Sequence, residues 1–256
     1  MNQQDQNQYQ YQGNFGDVYQ DSYGAPIQRT YTEDRVVDGQ KLMTKTYLGM
    51  FALLMISAIT ALYTFQTGLF LVVLQDKMFF YGCMIAEIVI AIAATRAVER
   101  NNLAASIGLT VAYSISSGVT FSVLLVIYTY ESMTSIFVLT ALLFLGVALF
   151  GTITKKDLTG FGQIGIMALW GIILIGIGNM FFKSYMVSNW LAFAGLAIFI
   201  GLTAYDTQKI KQMAAVSSAD SDTSVNVLAV YGAFTLYLDF VNIFLRLLRL
   251  FGNRRS

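Results

Sequence analysis

Histidine is absent from this chain of 256 residues, and cysteine and proline occur once each. Without histidine the chain lacks a principal zinc and haem ligand, the commonest general base and the side chain that ordinarily titrates near neutral pH. A lone Cys83 excludes an intrachain disulfide and a Cys-x-x-Cys site, and reads as a small apolar packing residue. Pro26 lies near the N-terminus, so no hydrophobic segment is kinked by proline. Charge is scarce too, at 12% of residues, against roughly 25% in an ordinary soluble domain. The formal net charge of +1 provides no field to recruit nucleic acid or an acidic substrate. The N-terminal stretch, residues 1–28, has neither the basic opening nor the apolar core of a signal peptide.

What the chain does have is hydrophobic surface in long runs, with 56% of its residues apolar. A helix needs about 20 apolar residues to cross a hydrocarbon core of ~30 Å. Residues 47–65, 78–97, 103–127, 135–153, 161–181 and 187–205 qualify, and 225–251 forms a seventh segment. The expected fold is therefore an all-α polytopic membrane protein of six to seven transmembrane helices. Small residues recur inside these segments (Ser114, Ser116, Ser117, Gly118, Gly171, Gly176, Gly178, Gly195, Gly201), as helix pairs in lipid require for close approach. Residues 1–40 are rich in Gln, Asn and Tyr and offer too little aliphatic surface to fold alone, so they are expected to be a disordered cytoplasmic tail. Residues 41–252 make the helix bundle, and 253–256 a short basic end.

Lysine and arginine set the expected orientation. Ten of them (Arg29, Arg35, Lys41, Lys45, Arg96, Arg100, Lys155, Lys156, Lys209, Lys211) fall on the side of the N-terminus, and only Lys77 and Lys183 fall on the other. This predicts a cytoplasmic N-terminus. Arg246, Arg249, Arg254 and Arg255 conflict with it: a full seventh crossing puts the last pair outside, whereas a re-entrant last segment keeps them inside.

Three carboxylates lie within or at the edge of spans: Glu87, Asp206 and Asp239. A charged, unpaired carboxylate at mid-bilayer costs ~2.5–3.5 kcal/mol on insertion scales, so such residues face a bundle interior and mark ion or proton paths. In the last segment Thr235, Asp239, Asn242, Arg246 and Arg249 step by 4, 3, 4 and 3, a single polar stripe on an otherwise apolar helix. An interfacial amphipathic helix is the other reading, but Asp239 sits among large apolar residues where such a helix would carry basic ones. Asp206 closes the sixth span, either as a solvated cap beside Lys209 and Lys211 or as a partner for Asp239 across the bundle. Two close carboxyl groups in low dielectric share a proton and titrate together.

The stretches AYDTQKIK (204–211) and LYLDFVNIFLRLLRLFG (236–252) closely resemble signatures of the Bax inhibitor-1 family, and SGVTFS (117–122) and KKDLTGFG (155–162) match further features of it. The resemblance covers residues 41–252. It implies a bacterial inner-membrane protein of seven helices, with three-helix layers around a central last helix. It also implies a pH-sensitive calcium leak gated by a hydrogen-bonded aspartate pair, which maps onto Asp206 and Asp239. The family's second-helix arginine latch matches Arg96, with Arg100 as the alternative, and Glu87 stands at a common second-helix acid. The Gln-rich tail and the polar linker AAVSSADSDTSVN (214–226) depart from compact bacterial members.

Calcium is a hard cation that takes oxygen ligands, which fits carboxylates and hydroxyls along a path. Asp206 and Asp239 would hold it weakly, and Glu87, Thr235 and Asn242 are candidate lining residues. No EF-hand-like loop suggests a high-affinity metal site, and no cofactor is expected. The expected partners are the lipid bilayer and the permeating calcium ion, with other membrane proteins as further candidates and no nucleic acid. The chain is not expected to be an enzyme. An intramembrane aspartyl protease is the nearest enzymatic rival, but Tyr237-Leu238-Asp239 lacks the glycines that flank its second aspartate. A proton-coupled transporter would show inverted repeats, and none is evident. A regulatory scaffold for other membrane proteins is the non-transporting alternative.

Overall fold

The computed structural model describes residues 39–216 and 222–255; the expected N-terminal tail lies outside them except for Gly39 and Gln40, which open the first helix. In chain order the helices are α1 (Gly39–Gln66), α2 (Phe70–Gln75), α3 (Lys77–Glu99), α4 (Leu103–Phe121), α5 (Leu124–Ile127), α6 (Tyr130–Ile153), α7 (Thr159–Phe182), α8 (Tyr185–Val216) and α9 (Asp222–Phe251). Seven of these units, with α4 and α5 counted as one, are long and apolar enough to cross a membrane. There is no β-strand among the described residues, only a single bridge between Tyr128 and Arg254.

Local chemistry sets the breaks between helices. Asp76 Oδ1 accepts from the backbone N–H of Met78 (2.8 Å) and Phe79 (3.2 Å) and starts α3. Asn102 caps α4 through Ala105, and Thr129 caps α6 through Ser132. These side chains satisfy N–H groups that a helix leaves unpaired. At the far end of α7, Lys183 turns left-handed (φ 51°) and donates its N–H to the Asn179 carbonyl.

Inside the bundle small hydroxyls take the place of large apolar residues. Buried Ser57, Thr110, Ser114, Thr140, Thr203 and Thr207 each donate to the carbonyl four residues back on their own helix. That bond disposes of the hydroxyl proton where no water is at hand, so helices approach closely without orphaned polar groups. Large apolar side chains face outwards instead. Met167, Trp170 and Leu174 on α7 are all exposed, and none of the most apolar window of α7 is buried. A soluble monomer does not carry an apolar surface on that scale, so this surface faces lipid.

Helix α9 occupies the centre, with 56% of its most apolar window buried and no other span above 28%. On one side lie α1, α3 and α4, on the other α6, α7 and α8, and α9 packs against α1, α3, α4, α6 and α8. Its first turns meet the start of α1 and the α3–α4 turn, through Lys45 Nζ to Asn226 Oδ1 (2.8 Å) and Asn101 Nδ2 to Ser224 Oγ (3.0 Å). The residues after it pair with the α5–α6 connection: Thr129 N–H to the Asn253 carbonyl, Arg255 N–H to the Ile127 carbonyl and Asn253 N–H to Ser132 Oγ. The last segment therefore runs the whole length of the bundle, ~45 Å at the standard helical rise, and is not re-entrant. The N-terminal end of the bundle holds the start of α1 and the α3–α4, α6–α7 and α8–α9 connections. The C-terminal end holds the other connections and residues 252–255.

Two expected boundaries move. The sixth span does not stop at Tyr205, because α8 continues to Val216, so Asp206 lies inside a continuous helix. The stretch 214–226 is a linker only in part, since α8 ends at Val216 and α9 begins at Asp222.

Candidate functional site

Asp239 is 5% exposed, on the face of α9 that meets α8. Its carboxyl lies within hydrogen-bonding reach of the Asp206 carboxyl and the Thr203 hydroxyl, both on α8. Thr203 and Asp206 are three residues apart and so share a helix face. The Thr203 hydroxyl also lies 2.7 Å from the Phe199 carbonyl, to which it can donate instead. Asp239 Oδ2 is buried without a hydrogen-bond partner among the described residues. Two bare carboxylates are both acceptors, so their contact becomes a hydrogen bond only when one of them carries a proton. A single shared proton satisfies both geometries.

The surroundings of this pair are held tightly on the α8 side. The carbonyl of Ala204 lies so close to Gly151 on α6 that a side chain at 151 would collide with backbone, and a Cβ at Gly162 on α7 would sit 2.7 Å from the Tyr205 ring. Towards the N-terminal end, Gln208 ties down the α6–α7 loop. Its Oε1 accepts from Leu158 N–H at 2.9 Å and its Nε2 donates to the Lys156 carbonyl at 2.8 Å. Lys211 Nζ donates to the Thr152 carbonyl at 2.7 Å.

The latch expected at Arg96 or Arg100 is not formed. Both are exposed, and neither makes a side-chain hydrogen bond or ion pair among the described residues. The cation beside Asp206 is Lys209, three residues on along the same helix. Lys209 Nζ lies 5.9 Å from the centre of the Tyr205 ring and 6.0 Å from that of Tyr231 on α9, within reach of the Tyr231 hydroxyl. It thus bridges α8 to α9 on the N-terminal side of the aspartates. The i, i+3 spacing of Asp206 and Lys209 was visible in the sequence, but Tyr231 carried no signal, since it lies two turns from Asp239 in a segment read for its charges.

The candidate lining residues divide. Thr235 is half-buried one turn before Asp239. Asn242 donates to the Leu238 carbonyl of its own helix at 2.8 Å. Glu87 belongs elsewhere: it accepts from Thr120 Oγ1 at 2.8 Å, between α3 and α4. Nearby, the hydroxyls of Ser57 and Tyr237 are 2.7 Å apart, and Ser57 Oγ also lies 3.0 Å from the Ser114 carbonyl oxygen. Tyr237 and Asp239 are two residues apart and so project to different sides of α9, which keeps the Glu87 cluster separate from the aspartate pair. No cluster of three or more metal-ligating side chains occurs among the described residues.

A bundle of seven apolar helices, the last of them central, with a carboxyl pair buried at the seam of the last two, defines a multi-pass membrane protein with a polar seam in its core. Comparison with known proteins supplies the family. The family model described as "Inhibitor of apoptosis-promoting Bax1" matches residues 39–256, and the chain belongs to this Bax inhibitor-1 family. It is 36% identical over 217 residues to inner membrane protein YbhL of Escherichia coli K12, covering 84% of this chain and 93% of that one. An uncharacterized protein of Borreliella burgdorferi is 35% identical over 231 residues, covering 90% and 99%, and one of Rickettsia prowazekii is 34% identical over 217 residues, covering 85% and 91%.

Proposed function

We propose that this protein is a passive, pH-sensitive calcium leak of the inner membrane, with its N-terminus in the cytoplasm, gated at the Asp206–Asp239 pair. The observation that carries the reading is the contact of two carboxyl groups in a buried helix seam, where Asp239 Oδ2 has no hydrogen-bond partner among the described residues. With one proton shared, the pair holds α9 against α8. When that proton leaves, two negative charges face each other in low dielectric, and the repulsion favours a state in which the helices part. The Lys209–Tyr231 bridge supports the closed seam from the cytoplasmic side. Once parted, the carboxylates offer oxygen ligands to a hard cation, and their small number keeps binding weak enough for the ion to leave. Thr235 lies on this route; Glu87 does not. Conduction of this kind uses no cofactor and no catalysed step, so the protein is read as a leak and not as an enzyme. The basic residues near the N-terminal end favour the cytoplasmic placement of the N-terminus.

The test is calcium flux into liposomes holding the purified protein, without ATP, across a pH series. Flux above that of protein-free liposomes, rising as pH rises, is the expected result. Flux equal to the protein-free control at every pH would overturn the leak and leave the scaffold reading, and a reporter fused to the N-terminus that reads periplasmic would overturn the orientation.

A further inference from the structure

The far end of the α8–α9 seam holds a different site. A cavity of about 600 Å³ opens there, between the end of α7, the start of α8, the end of α9 and the residues that follow it. Arg246, Arg249, Arg254 and Lys183 all line it, and no aspartate or glutamate among the described residues does. Arg246 is half-buried and lies flat on α8, where a Cβ at Gly195 would stand 2.9 Å from its Nε. It makes no hydrogen bond or ion pair among the described residues, and the like charge of Arg249 bears on it. A partly desolvated guanidinium held among like charges is costly to keep without a counter-ion.

Part of the wall is polar and already satisfied. Asn179 Nδ2 donates to the Ser184 carbonyl (3.1 Å) and to Ser188 Oγ (3.0 Å), while its Oδ1 accepts from Ser184 N–H (3.0 Å). These bonds fix the α7–α8 turn and leave the guanidinium donors, together with Lys183, Tyr185 and Asn189, free to meet a ligand. Guanidinium forks match the geometry of phosphate oxygens. The opposite wall is apolar, with Ile172, Ile173 and Met180 on α7, the span with no buried residue in its most apolar window. The cavity therefore opens sideways towards lipid as well as outwards.

We propose that this cavity is a binding site for a phosphate-bearing anion, supplied by the headgroup of an anionic phospholipid whose chains run down the exposed α7 wall. Such a group neutralises Arg246 and Arg249 together and bridges α9 to the α7–α8 turn. It also accounts for arginines placed at the end of the bundle that the charge bias of the other loops disfavours. Basic pockets between transmembrane helices are recognised by lipid phosphates on the same physical grounds.

Full-length protein in detergent is titrated with phosphatidylglycerol, with phosphatidylcholine as the neutral-headgroup control and inorganic phosphate as the free anion. Retained lipid is read by native mass spectrometry and protection by thermal shift. Phosphatidylglycerol should bind about tenfold or more tightly than phosphatidylcholine, given charge-assisted bonds to several guanidinium groups. Arg249→Gln and Arg254→Gln should each weaken it, and Lys155→Gln at the opposite end should not. Arg246→Gln should weaken it most, and because that side chain packs on Gly195, the exposed Arg249 and Arg254 keep the test decisive if the variant fails to fold. Protection by inorganic phosphate that depends on the same arginines, without retained lipid, would uphold the phosphate site and reassign its source. Equal binding of both lipids with no protection by phosphate, or binding that all three arginine variants leave unchanged, would overturn the proposal.

Discussion

The two ends of the α8–α9 seam solve opposite problems. At the aspartate end like charges are pressed together in a packed interior, and the contact is sound only with a proton between them. At the arginine end like charges surround an open cavity, which has room for a larger counter-ion. The difference lies in packing. Near Asp206, Gly151 and Gly162 let α6 and α7 close onto α8 until little but a proton fits. Near Arg246 a single glycine, Gly195, gives the guanidinium a flat seat, and the α7–α8 turn stays back. One helix pair thus carries a small, fast-exchanging ligand at one end and a site for a bulky anion at the other.

The comparison breaks most completely at the carboxyls. Asp206→Asn and Asp239→Asn each remove the like-charge repulsion while keeping a group able to hydrogen-bond, so each should flatten the pH dependence of calcium flux. The double variant should add little, because both changes disable one coupled unit. One pKa unit of coupling corresponds to about 1.4 kcal/mol, roughly tenfold in a two-state population, so a flattened profile is readily measured in liposomes. Wild-type profiles in both single variants would exclude the pair as sensor and make Glu87 the next residue to test.

Packing at the same end gives the next effect. Gly151→Val places two methyl groups against the Ala204 backbone, which cannot give way as a flexible side chain can. A loss of about 1–3 kcal/mol is expected for such overpacking, read as a lower thermal midpoint in detergent. The same change at Gly146, whose Cβ position is open, should have little effect.

A smaller change sharpens the question of what latches the closed seam. Lys209→Met removes the bridge to Tyr231 and should raise flux at acid pH, by roughly fivefold if the contact contributes about 1 kcal/mol. Arg96→Ala should leave flux unchanged, because Arg96 is exposed and touches neither aspartate. The opposite ranking would restore Arg96 as the latch.

The least effect is expected at Asp157, in the α6–α7 loop that Gln208 ties down. Two donors from Thr159, its N–H at 2.9 Å and its hydroxyl at 2.6 Å, hold the Asp157 carboxyl below the usual carboxylate range. A depressed carboxylate stabilises the fold above its unfolded-state pKa, and the contribution fades as pH falls through the lower folded value. This side chain is fully exposed, so Asp157→Ala should shift the thermal midpoint slightly at neutral pH, still less in acid, and leave the flux profile intact.

Much of this was legible in the primary structure. Hydrophobic runs alone located six spans and a seventh segment whose full crossing they left open, because the thickness of a bilayer sets a length that composition must meet. The i, i+4 and i, i+3 spacing of Asp239, Asn242 and Arg246 placed them on one face, because helix periodicity is local. Asp206 and Asp239 stood out because ionisable groups are rare in such segments. Only the tertiary structure decided which groups meet. It continued α8 past Asp206, put Lys209 and Tyr231 where Arg96 was expected, separated Glu87 from the aspartates, and left Arg246 on Gly195 facing a cavity. Those outcomes depend on how closely helices pack and which faces they turn to one another. Such contacts join residues far apart in the chain, and no local period encodes them.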